Sequence, residues 1–207
     1  IKMNLKTEKI LKIIFIFNCI IFISFSGCNS ISEKDNKSEE KHFESVLAIE
    51  TPSELKADNH EIFSVDVTIS ALGSEIYPAM SMCIDFDASN LEFTGIEDGN
   101  VFVTGDTAGG QLPNWSVNTE SSNKNGQINI MYLDTSGGRY AFSDRLLDKD
   151  KNILLRLDFR LRDNVKSGDN YVLSVEDAVF AASDSEKSLA SSVGTMAVQN
   201  GQIILED

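Results

Sequence analysis

The chain has 207 residues, enough for one sizeable domain and a tail, and a domain near 150 residues removes roughly two thirds of its surface from water on folding, so disulfides are not required. Its formal charge of -14 argues against nucleic acid, whose phosphates such a surface repels. The first 27 residues hold four lysines and one glutamate, so the remainder is more acidic still, with 14 basic against 31 acidic residues.

Lys2, Lys6, Lys9 and Lys12 lead into the apolar run IIFIFNCIIFISF, and small residues follow at Ser26 and Gly27. A basic flank, a short apolar run and small residues before a cut are the pattern of an export signal, here residues 1–27. The run ends in Phe25, Ser26, Gly27 and Cys28, which resembles the bacterial lipobox. That resemblance implies a thioether-linked diacylglycerol on Cys28 and a domain anchored at the extracellular face of the bacterial cell membrane. Phe25 stands where Leu is usual. An ordinary cleaved signal and an uncleaved anchor helix are the alternatives, and all three readings place the domain outside the membrane. Residues 28–44 are polar, charged and free of apolar periodicity, so they read as a flexible tether.

Residues 45–207 are a succession of short alternating runs between turn residues. Residues 46–51 come first, then 61–71, in which Phe63, Val65, Val67, Ile69 and Ala71 oppose Ile62, Ser64, Asp66, Thr68 and Ser70. Residues 79–87, 91–97, 115–119 and 127–134 follow. The clearest run is 152–162, where Leu155, Leu157, Phe159 and Leu161 alternate with Leu154, Arg156, Asp158, Arg160 and Arg162. That is period two, a half-buried strand. The stretch KSGDN reverses the chain into residues 171–175, an antiparallel hairpin, and residues 196–206 close it. About nine strands without a long helical pattern predict an all-β fold, a nine-stranded sandwich or jelly roll. One helical turn is expected at residues 143–149, with Ser143 as its cap.

At this point the residues carry a family resemblance. AMSMCIDFDASNLEFTGIEDGN resembles the strand, turn and strand of cohesin modules. GQINIMYLDTSGG followed by RYAFSD is similar to the cohesin segment in which an apolar strand ends in an acidic residue and a Ser/Gly loop. NILLRLDFRLRDNVKSGDNYVLS with EDAVFA resembles the late hairpin, and MAVQNGQIIL the last strand. The resemblance implies a nine-stranded jelly-roll β-sandwich that acts without catalysis. Cohesins bind dockerins, small calcium-loaded helical modules of secreted enzymes such as glycoside hydrolases. It further implies a monomer with no cofactor of its own, the calcium belonging to the dockerin. The dockerin is expected on one flat sheet face, made by residues 79–87, 115–119, 127–134 and 153–162.

Pattern and resemblance together name that face. Met80, Met82, Ile84 and Phe86 are expected to point inward, leaving Ala79, Ser81, Cys83 and Asp85 outward. Ile128, Ile130 and Tyr132 point inward, leaving Asn129, Met131 and Leu133 outward. The last strand adds Arg156, Asp158 and Arg160. Apolar anchors at Met131 and Leu133 would supply a buried centre, and arginine or asparagine the hydrogen bonds around it. Cohesins usually carry a polar or acidic residue at the place of Ser81, and the loop 121–126 is longer than theirs.

Other signals are weaker. Trp115, the only tryptophan, would stack on a sugar ring if exposed, which makes a carbohydrate-binding jelly-roll lipoprotein the alternative function. A core position is its blander reading, and a stalk domain without ligand is a third possibility. Cys83 is expected to be a small buried or half-buried filler. Asp148, Asp150 and Asn152 begin like an EF-hand loop, but Ile153 replaces the required Gly and Phe159 the closing Glu. His42 and His60 fall in no Ser/His/Asp or metal-ligand arrangement. Asp85 and Asp87 resemble a carboxylate pair without a partner strand, and GDTAGG lacks the lysine and helix of a phosphate loop.

Overall fold

The structure, a computed structural model, describes residues 44–101, 115–148 and 150–206. The signal segment, Cys28, the tether up to Phe43 and the GDTAGG stretch lie outside the described residues. Alternating runs fold as strands because each can bury one row of side chains and leave the other in water. In chain order these are β1 (Val46–Glu50), β2 (Leu55–Lys56), β3 (Phe63–Ile69), β4 (Ala79–Asp85), β5 (Leu91–Asp98), β6 (Gln127–Leu133), β7 (Ile153–Leu161), β8 (Asn170–Ala181), β9 (Leu189–Ala190), β10 (Ala197–Gln199) and β11 (Gly201–Glu206). One sheet runs β10-β1-β3-β7-β5; the other runs β2-β11-β8-β4-β6, with β9 on β8. The two sheets enclose one apolar core.

Without the two-residue β2 and β9, nine strands stand among the described residues, divided differently from the alternation. The closing run breaks at Asn200: β10 pairs parallel with β1 in one sheet, and β11 pairs with β8 in the other. Residues 115–119 form no strand, and only Ser116 bridges to Met131, with N–H···O distances of 2.8 and 3.0 Å.

The inward row of β7 is the centre of the core. Leu155, Leu157 and Phe159 are fully buried, and the Phe159 ring meets Phe63, Phe86 and Phe93 at centroid distances of 6.2, 5.6 and 5.6 Å. A second aromatic cluster joins Phe142 to Tyr132, Phe180 and Trp115 at 5.1, 5.3 and 6.3 Å.

Leu154 departs from the alternation. Expected outward, it is 0% exposed, because the turn after β5 crosses the start of β7: Gly99 N–H donates to the Leu154 carbonyl at 3.1 Å and Val101 N–H to that of Ile153 at 3.2 Å. Only glycine fits at the crossing, since a Cβ on Gly99 would lie 1.9 Å from the Ile153 carbonyl oxygen.

A helix also forms where none was expected. Helix α1 spans Thr119–Asn125. Asn118 caps it by accepting Ser121 N–H at 2.8 Å, and Gly126 ends it at φ 70°, a conformation favouring glycine. Asn123 ties the helix to β5, accepting from Phe93 N–H and donating to the Phe93 carbonyl, both at 2.8 Å. So α1 links the edge strand of one sheet, β5, to the edge strand of the other, β6, which follows it in the chain. The expected turn forms as a short 3-10 segment, Asp144–Leu146, with Ser143 at its N-cap position but without a side-chain cap bond.

Candidate functional site

The outward rows of β4, β6 and β8 form one surface. In the register of the three strands, Ala79 stands between Leu133 and Ala181, and Ser81 between Met131 and Val179. Cys83 stands between Asn129 and Asp177, and Asp85 between Gln127 and Ser174. Four cross-strand rows therefore pass from small and apolar side chains to polar and acidic ones. Met131 is 63% exposed and Leu133 64%, while Ala79, Ser81 and Val179 beside them are too short to cover either. Two long apolar side chains standing in water on a sheet face are a patch of the kind that a partner covers. Their inward neighbours Met80, Met82, Ile84, Ile128, Ile130 and Tyr132 are all buried.

β7 does not belong to this surface. Arg156, Asp158 and Arg160, expected here from the resemblance, lie on the opposite sheet, where β7 pairs with β3 and β5. Alternation reveals which side of a strand is buried but not which sheet it joins, and that is the physical reason for the correction. On that other face the charges satisfy one another: Arg156 pairs with Asp66 at 3.1 Å, Arg160 with Glu92 at 3.3 Å, and Lys151 with Asp66 and Glu50 at 2.6 and 2.9 Å. Asp158 accepts the Ser64 hydroxyl at 2.7 Å. These partly exposed pairs make a solvated charged face.

Sequence reasoning missed the β8 contribution, Val179, Ala181, Glu176 and Asp177. The signal in the residues is the spacing Leu173, Val175, then Ala178 and Phe180 with Glu176 and Asp177 between them, a break in period two that marks a bulge, and Val175 and Ala178 are both buried in the structure.

The ends of the surface are held by side-chain caps. Asp134, directly after Leu133, accepts Ser136 N–H at 2.8 Å, the Ser136 hydroxyl at 2.5 Å and Gly138 N–H at 2.6 Å. Burial pushes its carboxyl up, but the hydrogen bonds from Ser136, Gly138 and Tyr140 outweigh that and hold it below the ordinary value of 3.8. A lowered carboxyl stabilises above that value and loses its contribution as pH falls through the folded-state value. Amide protection at Ser136 and Gly138 is therefore expected to persist at pH 3.8 and to be lost only as pH falls further, through the lowered folded-state value, in wild type but not to show that step in Asp134→Asn; identical pH profiles would contradict this. At the opposite end Asp87 accepts from the Ser89 hydroxyl at 2.5 Å and from Asn90 at 2.7 Å, and Asp85 accepts from Gln127 at 2.8 Å. The two carboxylates each have their own hydrogen-bond partners.

Burial, then the carboxylates of Asp85, Glu176 and Asp177, push the Cys83 thiol up. Cys83 is half-buried, as a filler would be. At pH 8 it is expected to alkylate several-fold more slowly than free cysteine; an equal or faster rate would show that these charges do not reach the sulfur. Trp115 packs on Tyr132 at 5.3 Å and donates its indole N–H to Asp98 at 2.7 Å, a place at the core margin. No exposed large apolar side chain among the described residues is aromatic, so the ring platform a sugar would need is not found among them.

The sequence model of the cohesin domain matches residues 47–199. No curated protein matches significantly. Among solved structures, the chain is similar to the third cohesin of ScaC from Acetivibrio cellulolyticus, solved in complex with the ScaB dockerin. The TM-score is 0.56 at 16% identity, covering 79% of this chain and 99% of that one. The OlpC cohesin of Clostridium thermocellum, solved in a type I cohesin-dockerin complex, gives 0.56 at 13% identity over 86% and 99%. A non-cellulosomal cohesin from the hyperthermophilic archaeon Archaeoglobus fulgidus gives 0.53 at 14% over 79% and 92%. At such identities the likeness establishes a common fold, the jelly-roll β-sandwich.

Proposed function

The chain belongs to the cohesin domain family, and from that premise we propose that it is a non-catalytic scaffolding module that docks a dockerin on the outer face of β4, β6 and β8. The observation that carries the choice of face is the exposure of Met131 and Leu133 at 63% and 64% beside the short side chains of Ala79, Ser81 and Val179. Apolar area of this kind, with polar groups beside it, is where docking energy concentrates. On the other sheet the outward arginines Arg156 and Arg160 already face carboxylates of the same chain.

The lipobox-like residues up to Cys28 and the polar segment after them support a lipid-anchored protein at the outer face of the bacterial membrane, with reach supplied by the tether. The calcium of the complex belongs to the dockerin in this reading, and the domain acts as a monomer. A dockerin-bearing secreted enzyme or scaffold protein would thereby be held at the cell surface, in the service of polysaccharide degradation.

Calorimetric titration against a panel of calcium-loaded dockerins tests the proposal. Tight binding to at least one member, abolished by chelator, is expected. Silence across a broad panel, with binding to a polysaccharide array instead, would overturn it.

A further inference from the structure

Over the four rows from Ala79 to Asp85 the docking face is chemically divided along its strands, and Val172, 51% exposed, lies one step beyond them on β8. Its Ala79 end carries Leu133, Met131, Val179 and Ala181; its Asp85 end carries Asp85, Glu176 and Asp177. The bulge in β8 creates the second half. Opposite Cys83 and Ile84 the register jumps from Asp177 to Val175, so Glu176 is an extra residue. It lies between inward Val175 and outward Asp177, and the burial pattern leaves both acids on the outer side. A bulge re-aims side chains in this way. Here it sets two consecutive carboxylates across from Cys83, where a regular strand would offer one.

These carboxylates differ from those of the other sheet. Asp66, Glu50 and Glu92 are neutralised by Lys151, Arg156 and Arg160. Among the described residues no ion pair involves Asp85, Glu176 or Asp177, and β4, β6 and β8 contain no Lys or Arg at all. Nor do the three acids belong to any group able to hold a metal ion among the described residues. Unneutralised carboxylates beside an apolar patch attract a cation delivered by a protein partner. A second copy of this chain would bring the same acids and be repelled.

Resting on the docking role above, we propose that this face accepts only a dockerin whose docking surface sets a basic cluster next to an apolar patch, the apolar part covering Met131 and Leu133 and lysine or arginine side chains meeting Asp85, Glu176 and Asp177. Same-face residues along a strand repeat every ~7 Å, so the Met131 row and the Asp85 row are about 14 Å apart. The partner's basic groups therefore sit roughly 7 to 14 Å from its apolar anchor. The division also fixes orientation, since a partner turned end for end would place its cations on Met131 and Leu133 and its apolar anchor on the acids.

The test uses the dockerin that binds most tightly in a calcium-loaded panel, measured against wild type, Asp85→Asn/Glu176→Gln/Asp177→Asn, and Glu92→Gln/Glu97→Gln as a control on the other sheet. The triple variant is expected to lose 10- to 100-fold in affinity, and the association rate is expected to lose most of its salt dependence between 50 and 300 mM, both roughly as for loss of a few close charge pairs. The control variant should stay within about twofold in a matched measurement. If the triple variant binds as wild type with unchanged salt dependence while Met131→Asp abolishes binding, the charge division is refuted and the docking face stands. If no dockerin binds wild type, the docking role and this inference fall together.

Discussion

Met131→Asp is expected to weaken dockerin binding at least 100-fold, a loss of about 2.7 kcal/mol or more, with the melting temperature unchanged. Met131 lies in the row of Ser81 and Val179, the row of the apolar half that borders the polar one. A carboxylate there must be desolvated against the partner's apolar patch without a counter-charge, which costs more than the lost contact. Its effect on folding is expected to be small because the side chain is 63% exposed and touches water in the free protein. Arg156→Glu with Arg160→Glu is the matched control. Both arginines lie on the other sheet, so affinity should remain within twofold, although the pairs with Asp66 and Glu92 are lost. Equal losses in both variants would place the partner across an edge rather than on one face.

Phe159→Ala is expected to cost about 3 to 5 kcal/mol of stability, measured by denaturant unfolding. The ring is fully buried and meets Phe63, Phe86 and Phe93 at 5.6 to 6.2 Å. Removing it leaves a cavity bounded by three rigid rings and two sheets that cannot collapse without breaking ladder bonds. The melting temperature should fall by roughly 10 °C or more for a domain of this size. A loss under 1 kcal/mol would mean that the sheets close over the gap.

Much of this was legible in the residues themselves. Met80, Met82, Ile84, Ile128, Ile130 and Tyr132 face inward as alternation requires, because burial of one row is what makes these segments strands. Alternation is blind to pairing. It gave the inward row of β7 but could not reveal that β7 lies between β3 and β5, which moved Arg156, Asp158 and Arg160 off the face. Helix α1 was hidden for another reason: TESSNKN has no apolar periodicity, and it is held by Asn118, Gly126 and the Asn123 bonds to Phe93 rather than by a buried stripe. Leu154 was misplaced because its cover comes from a turn some 55 residues earlier in the chain, which strand periodicity cannot express. The Val175-to-Ala178 spacing, in contrast, was readable as a bulge, and with it the pair of acids on β8.

The central claim is that the outer face of β4, β6 and β8 receives the partner. Hydrogen exchange of the protein with and without its bound dockerin tests it most directly. Slowed exchange should concentrate in residues 79–85, 127–133 and 174–181, with 153–161 and 63–69 unchanged. Slowing confined to the latter two segments would put the partner on the ion-paired sheet and contradict the assignment.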